Sequence, residues 1–108
     1  MDDRGKIDDV LVESVVMKIA EAIQPEKIIL FGSRAKGTAR ANSDIDLLVI
    51  KDVMQSKREI KLRIRRLFTH QNFSMDLFVL TPEEFQRQQN VVNTIGRTAM
   101  REGKVCHG

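Results

Sequence analysis

The sequence predicts an α+β fold: a small mixed β-sheet of three to five strands with helices mainly on one face. Three observations support this prediction. The chain has 108 residues, which suits one domain, so residues 1–108 are expected to form a single folding unit. Segments with apolar residues at helical spacing alternate with short runs of β-branched and leucine residues. Repeats and low-complexity stretches, which would indicate another architecture, are absent from the sequence.

The first half of the chain is predicted to contain one long helix and two strands. The helix is expected over Asp8–Ile23, where apolar residues recur at helical spacing and form one face. Lys27–Phe31 is predicted to be a short buried strand that ends at Gly32-Ser33. Arg34–Gly37 can form one helical turn, and the dense β-branched and leucine composition of Asp44–Ile50 predicts a second strand.

The second half of the chain is predicted to add a helix, a strand and further helical segments. Ser56–Phe68 has a stripe of apolar residues at helical spacing, and Phe73–Leu80 is predicted to be the third strand. Thr81-Pro82 begins another helix, with the threonine as N-cap and the proline at the first helical position. The tail Lys104–Gly108 is expected either to add a short edge strand or to be loose. Methionine and phenylalanine residues at these spacings are interpreted as core residues.

The charge and the cysteine content restrict the classes of function. The formal net charge is +3 and the sequence pI is about 9.3. This mildly basic balance suits an anionic ligand such as a nucleotide, but it does not by itself indicate binding to long nucleic acid. The single cysteine excludes an internal disulfide, so a cytoplasmic protein is expected. No apolar run approaches the roughly 20 residues of a membrane span, so no membrane partner is expected.

Three carboxylates occupy positions that are unusual for aspartate. Asp44 and Asp46 begin an otherwise apolar strand, and Asp76 lies inside another. Side-chain alternation places Asp44 and Asp46 on one face, about 6.6 Å apart along the strand. If the strand that holds Asp76 is the neighbour, the mutual repulsion of the three groups favours a bound cation. Ligands that are all oxygen favour Mg²⁺, with Mn²⁺ as an alternative.

A second group of residues is suited to binding phosphate. Gly32 permits a sharp turn and a close approach of a ligand to the backbone. The Ser33 hydroxyl and the amides of the following helical turn can hold phosphate oxygens. Arg34 and Lys36 lie in that turn and could neutralise an anion, although exposed basic residues in a turn are often only solvated. Together with the carboxylates, this turn could hold a nucleoside triphosphate and its metals.

These residues resemble a known signature. Gly32-Ser33, followed after ten residues by Asp44-Ile45-Asp46, is similar to the motif of the nucleotidyltransferase superfamily related to DNA polymerase β. Asp76 resembles the third carboxylate of that superfamily. The short length and the segment from residue 31 to residue 50 most resemble minimal nucleotidyltransferases, which are paired with HEPN-domain proteins as antitoxins of toxin–antitoxin modules.

The resemblance implies a mechanism and a set of partners. Asp44 and Asp46 would ligate two Mg²⁺ ions that bridge the triphosphate, and Asp76 would ligate the metal nearer the acceptor. Gly32 and Ser33 would hold the terminal phosphates. ATP is the expected donor, and the expected acceptor is a tyrosine of a HEPN-domain partner. A nucleic acid as acceptor and a homo-oligomeric state stay open.

Other interpretations of the same residues remain. Asp44 taken alone could be a turn residue after Asn42-Ser43. The protein could also be an antitoxin that neutralises its partner by binding, with little or no catalysis. A third alternative is a nucleic-acid-binding module that uses the basic helix Ser56–Phe68, whose ridge of Arg58, Lys61 and Arg65 is also what an ordinary solvated face would present.

Overall fold

The computed structural model of the chain describes residues 9–40, 42–52 and 56–108. Within these ranges, helices alternate with strands in the pattern that the sequence predicts. The elements in chain order are α1 (Val10–Ile23), β1 (Lys27–Phe31), α2 (Ser33–Lys36), β2 (Ile45–Ile50), α3 (Lys57–Arg66), β3 (Met75–Leu80), α4 (Pro82–Gln88), α5 (Ile95–Glu102) and β4 (Lys104–His107).

The four strands form one mixed sheet in the order β3-β2-β1-β4. β1 pairs with β2 and with β4 in antiparallel orientation, and β2 pairs with β3 in parallel. The parallel pair needs a crossover connection, which α3 supplies. The expected small mixed sheet is therefore confirmed, and the tail forms the edge strand that was one of its two predicted states.

The helices begin and end at the local signals in the sequence. Asp9 is the N-cap of α1 and accepts a hydrogen bond from the Val12 amide at 3.2 Å. The predicted first residue of this helix, Asp8, lies outside the described residues. Thr81 and Glu84 form a reciprocal capping box at the start of α4. Helix α3 is shorter than the predicted Ser56–Phe68, because Ser56 lies before it as the N-cap and Leu67 follows its last residue as the C-cap.

The two faces of the sheet are buried by different helices. Ile45, Leu47 and Val49 of β2 belong to the larger apolar cluster with residues of α1 and α3. Leu48 and Ile50 point to the opposite face and pack with residues of α4 and α5. The second cluster covers only part of its face of the sheet, so Asp76 and Phe78 of β3 stay exposed there. Across the described ranges, the helices are all too short or too polar to span a bilayer.

Candidate active site

The turn from β1 into α2 brings the backbone against a carboxylate. Gly32 has φ +75°, a conformation that side chains other than glycine rarely adopt. A Cβ atom at this position would collide with Asp46 Oδ2. The Gly32 carbonyl accepts hydrogen bonds from the amides of Ala35 and Lys36, both at 3.1 Å, which closes the first turn of α2. Both the conformation and the packing against Asp46 therefore require glycine here.

Two of the predicted carboxylates lie side by side on the open face of the sheet. Asp46 and Asp76 are partners in the parallel register of β2 and β3. Their side chains are hydrogen-bonded to each other. Asp44 precedes β2, is exposed, and is close enough for its charge to act on Asp46. The structure thus brings the three acids into one region, with Gly32 packed on the central one.

The central carboxyl group is hard to ionise in this arrangement. The pKa of Asp46 is raised from 3.8 to about 6. Burial is the largest cause, followed by the hydrogen bond with Asp76 and then by the charges of Asp76 and Asp44. A bound cation would offset the charges of the neighbouring acids and stabilise the ionised form of Asp46. The electrostatics therefore favour a positively charged ligand at Asp46.

The donor chemistry of these acids fits a hard divalent cation, because every available ligand atom is a carboxylate oxygen. Within the described ranges, however, no group of three or more Asp, Glu, His or Cys side chains is arranged around a single ion position. Asp46 and Asp76 lie close enough for a hydrogen bond between their side chains. A cation between them would require Asp46 to be ionised, which its pKa of about 6 allows at neutral pH.

Ser33 and Lys36 lie at opposite ends of α2. Ser33 is the first residue of the helix, directly after Gly32, and is half-buried. Lys36 Nζ lies 2.7 Å from Glu102 Oε1 at the end of α5, and both side chains are largely exposed. This ion pair lowers the pKa of Glu102, with the hydrogen bond from Lys36 as the largest cause. The phosphate-binding roles of Ser33 and Lys36 stay predictions.

Arg34 makes contacts that the sequence pattern did not indicate. Its guanidinium is buried and forms an ion pair with Asp9, the N-cap of α1. Its Nε and one terminal nitrogen also donate to the Ser43 carbonyl at 3.1 and 2.9 Å. Arg34 therefore joins α1, α2 and the backbone directly before Asp44. Its predicted role in phosphate binding remains a prediction, and these contacts give it a structural role.

An aromatic pair borders the carboxylates on the same sheet face. Phe31 is the register partner of Asp46, and Phe78 lies two residues after Asp76. Their ring centroids are 5.7 Å apart with an interplanar angle of 51°. Phe31 is buried, whereas Phe78 is 36% exposed. Phenylalanines were expected in the core, and Phe78 departs from that expectation because α4 and α5 do not cover it.

A family model described as the nucleotidyltransferase domain matches residues 13–103, which include the Gly32-Ser33 turn and all three aspartates. This chain belongs to the nucleotidyltransferase domain family. The resemblance seen in the motif is therefore confirmed. Nucleotidyltransferase domains generally use divalent metals, in agreement with the donor chemistry of the carboxylates.

Solved structures support the fold of this nucleotidyltransferase domain. One is a toxin–antitoxin crystal structure with AMP-PNP, which has 22% identity, a TM-score of 0.64, and coverage of 89% of this chain and 73% of that chain. Another is a mutant of the toxin–antitoxin MntA-HpeT, at 21% identity and a TM-score of 0.63, with the same coverage of 89% and 73%.

A putative nucleotidyltransferase from Sulfolobus solfataricus has 26% identity to the chain and a TM-score of 0.52. The match covers 71% of this chain and 69% of that one. No curated protein matches the chain. The nucleotidyltransferase fold predicted from the sequence is thus confirmed.

The basic helix α3 lies on the opposite side of the sheet from the carboxylates of the nucleotidyltransferase domain. Ile60 and Ile64 of this helix are buried in the cluster formed with α1. Lys57 Nζ lies 2.7 Å from a Glu84 carboxylate oxygen, and Arg63 donates to the Ala22 carbonyl at 3.2 Å. Two of the six basic residues therefore have intramolecular partners. A ligand on the outer face of α3 would not reach the carboxylates.

Proposed function

We propose that this nucleotidyltransferase transfers AMP from ATP to a hydroxyl group, and that the acceptor is a tyrosine of a HEPN-domain toxin whose activity the transfer neutralises. The observation that carries the catalytic part is the position of Asp46. It lies beside Asp76 in the parallel register and against the backbone of Gly32. Acids grouped beside the backbone amides of a turn are suited to holding cations and phosphates for phosphoryl chemistry on a nucleotide.

The acids have the role of binding cations beside the phosphates. Asp44, Asp46 and Asp76 would hold two Mg²⁺ ions, or Mn²⁺ in their place. When bound, such ions neutralise the charge of the triphosphate and stabilise both the attacking and the leaving oxygen. The raised pKa of Asp46, which is about 6, makes this carboxylate available as a ligand above about pH 6. The charge of a bound divalent cation would further favour the ionised form.

The turn residues have the role of holding the donor. The Ser33 hydroxyl and the amides of the turn would donate to the terminal phosphates, and Gly32 allows them to approach. Lys36 lies on the same turn, and its ammonium group would leave the ion pair with Glu102 and bind a phosphate oxygen. Arg34 keeps the turn and the backbone before Asp44 in fixed relation, through its contacts with the Ser43 carbonyl at 2.9 and 3.1 Å. These residues orient the α-phosphate beside the acids.

The transfer itself forms one bond and breaks one bond. The acceptor oxygen bonds to the α-phosphorus while the bond from that phosphorus to the bridging oxygen of the β-phosphate breaks, and pyrophosphate leaves. The acceptor proton passes to a carboxylate, and Asp76 is the exposed acid of the central pair that an acceptor can reach. The chain thus supplies positioning and charge, which are the main contributions in phosphoryl transfer.

Support for a toxin partner comes from the solved structures. Those at TM-scores of 0.64 and 0.63 are described as toxin–antitoxin proteins, one of them with AMP-PNP. The single cysteine agrees with a cytoplasmic location.

The test combines labelled donors with a carboxylate variant. The protein is coexpressed with the product of the adjacent gene and incubated with each α-labelled nucleoside triphosphate and Mg²⁺. We expect label on a tyrosine of the partner, greatest with ATP, and no label with the double variant Asp44→Asn/Asp46→Asn. Asp52→Asn is the matched control, because this exposed acid follows β2 outside the site.

The same variants separate catalysis from masking. If the double variant still forms the complex but no longer protects cells from the partner, the transfer is what neutralises the toxin. Full protection by the double variant would contradict the proposal and favour an antitoxin that acts by binding. Label on RNA in place of protein would contradict the proposed acceptor.

A further inference from the structure

The aromatic pair Phe31 and Phe78 forms an apolar surface directly beside the acids. On this sheet face, one row across the strands holds Phe31, Asp46 and Asp76, and the next row holds Ile29, Leu48 and Phe78. The two rings lean towards each other across β2, with centroids 5.7 Å apart. Phe31 is 8% exposed and Phe78 is 36% exposed.

The exposure of Phe78 contrasts with the rest of its strand. Met75, Leu77 and Val79 of β3 are buried on the opposite face, and Leu80 is buried under α4 and α5. Phe78 alone combines a large apolar side chain with a position on the open face, next in alternation to the exposed Asp76. An aromatic ring that is fixed by a buried neighbour and open on one side is suited to stacking with a planar ligand.

We propose that the exposed face of Phe78 stacks against the base of the donor nucleotide. This inference rests on the proposed function, which places the α-phosphate at the acids. Two residues along one face of a strand span about 6.6 Å, a distance that the single sugar between an α-phosphate and its base can bridge. The tilted contact with the buried Phe31, with ring centroids 5.7 Å apart, restricts the Phe78 ring before the nucleotide arrives.

Stacking has a consequence for the choice of donor. A ring recognises the flat surface of a base and responds to its size more than to its hydrogen-bonding groups. We therefore expect purine nucleotide analogues, ATP analogues among them, to bind several-fold more tightly than CTP and UTP analogues.

The test compares a nucleotide with a phosphate chain that has no base. Calorimetry in Mg²⁺ measures the affinity of α,β-methylene-ATP and of inorganic tripolyphosphate for the wild type and for Phe78→Leu, which keeps the apolar volume and removes the ring. We expect Phe78→Leu to bind the nucleotide about tenfold more weakly and to bind tripolyphosphate unchanged. Phe78→Trp should retain the affinity for the nucleotide.

Phe73→Leu is the matched control, because the ring of Phe73 packs on Phe68, 5.7 Å away between centroids, in the other apolar cluster. It should leave both affinities unchanged. Phe78→Met replaces Phe78→Leu if the leucine variant fails to fold by circular dichroism.

Two results would overturn the stacking proposal. Equal nucleotide affinity in the wild type and Phe78→Leu would do so while leaving the proposed function intact. If transfer to the acceptor is reduced in that case, the acceptor and not the base lies at the ring. If the wild type binds neither ligand, the proposed function fails as well.

Discussion

Replacement of Asp46 by asparagine is expected to stabilise the fold while removing activity. The pKa of Asp46 is about 6 in place of 3.8, with burial as the main cause and the two neighbouring acids as further causes. Because the folded state binds the proton more tightly than the unfolded state, the free energy of unfolding falls as pH rises from about 4 to above 6. Asparagine has no charge to bury, so the variant avoids this loss.

The magnitude follows from the same pKa values. A pKa of about 6 instead of 3.8 corresponds to about 3 kcal/mol. Because Asp46 is partly exposed, solvent screening reduces this to about 1–2 kcal/mol. For a domain of this size we expect Asp46→Asn to melt about 5–10 °C higher at pH 7.5. At pH 4 most of the difference should be gone, because the carboxyl is then protonated in the folded state and only partly ionised in the unfolded state, where its pKa is 3.8.

The assay is urea or thermal unfolding of both proteins between pH 4 and pH 8 without divalent cations. Asp52→Asn controls for the loss of one negative charge and should stay within about 0.5 kcal/mol of the wild type. If Asp46→Asn is no more stable than the wild type at pH 7.5, or if the difference between them does not depend on pH, the repulsion that we infer at the acids is absent.

Three further substitutions probe the turn and its supports. Gly32→Ala should abolish transfer activity, because the alanine Cβ would displace Asp46. Gly37→Ala is the control: this glycine also has a positive φ but has open space around it, so the substitution should cost only about 1 kcal/mol of stability. Equal transfer activities of the two variants would contradict the packing of Gly32 against Asp46. Arg34→Ala should lower the free energy of unfolding by about 2–3 kcal/mol, measured by urea titration, and rescue by lysine would contradict the forked hydrogen bonding to one carbonyl. Lys36→Ala should weaken tripolyphosphate binding in calorimetry. Glu102→Ala breaks the same exposed ion pair and should leave that binding unchanged. If both variants weaken tripolyphosphate binding equally, Lys36 has only a structural role.

Local sequence signals were sufficient to predict much of the fold. The strand Lys27–Phe31 has its predicted bounds, because a run of apolar residues stops at a glycine. The start of α4 follows from Thr81 and Pro82, whose chemistry acts within one turn. The tail was ambiguous, because β4 has no buried residue and its pairing with β1 comes from backbone hydrogen bonds that no side-chain pattern encodes.

The candidate site was predictable where adjacent residues define it. Asp46 and Asp76 could be identified from the sequence because each is an aspartate inside an apolar strand. Their pairing in neighbouring strands depends on the tertiary structure and could not be read from the sequence. The ion pair of Arg34 joins residues 25 positions apart, so no local spacing could indicate it. The exposure of Phe78 could not be predicted from the sequence either. Side-chain alternation places Phe78 on the same sheet face as Asp76, but it does not show how much of that face the helices cover.

The central claim is that the acids and the Gly32-Ser33 turn bind a nucleoside triphosphate together with divalent cations. Calorimetric titration with α,β-methylene-ATP, with and without Mg²⁺, tests this most directly. We expect binding by the wild type only with Mg²⁺, and at least tenfold weaker binding by Asp46→Asn. Binding of the same strength without Mg²⁺, or binding that Asp46→Asn leaves unchanged, would contradict the account.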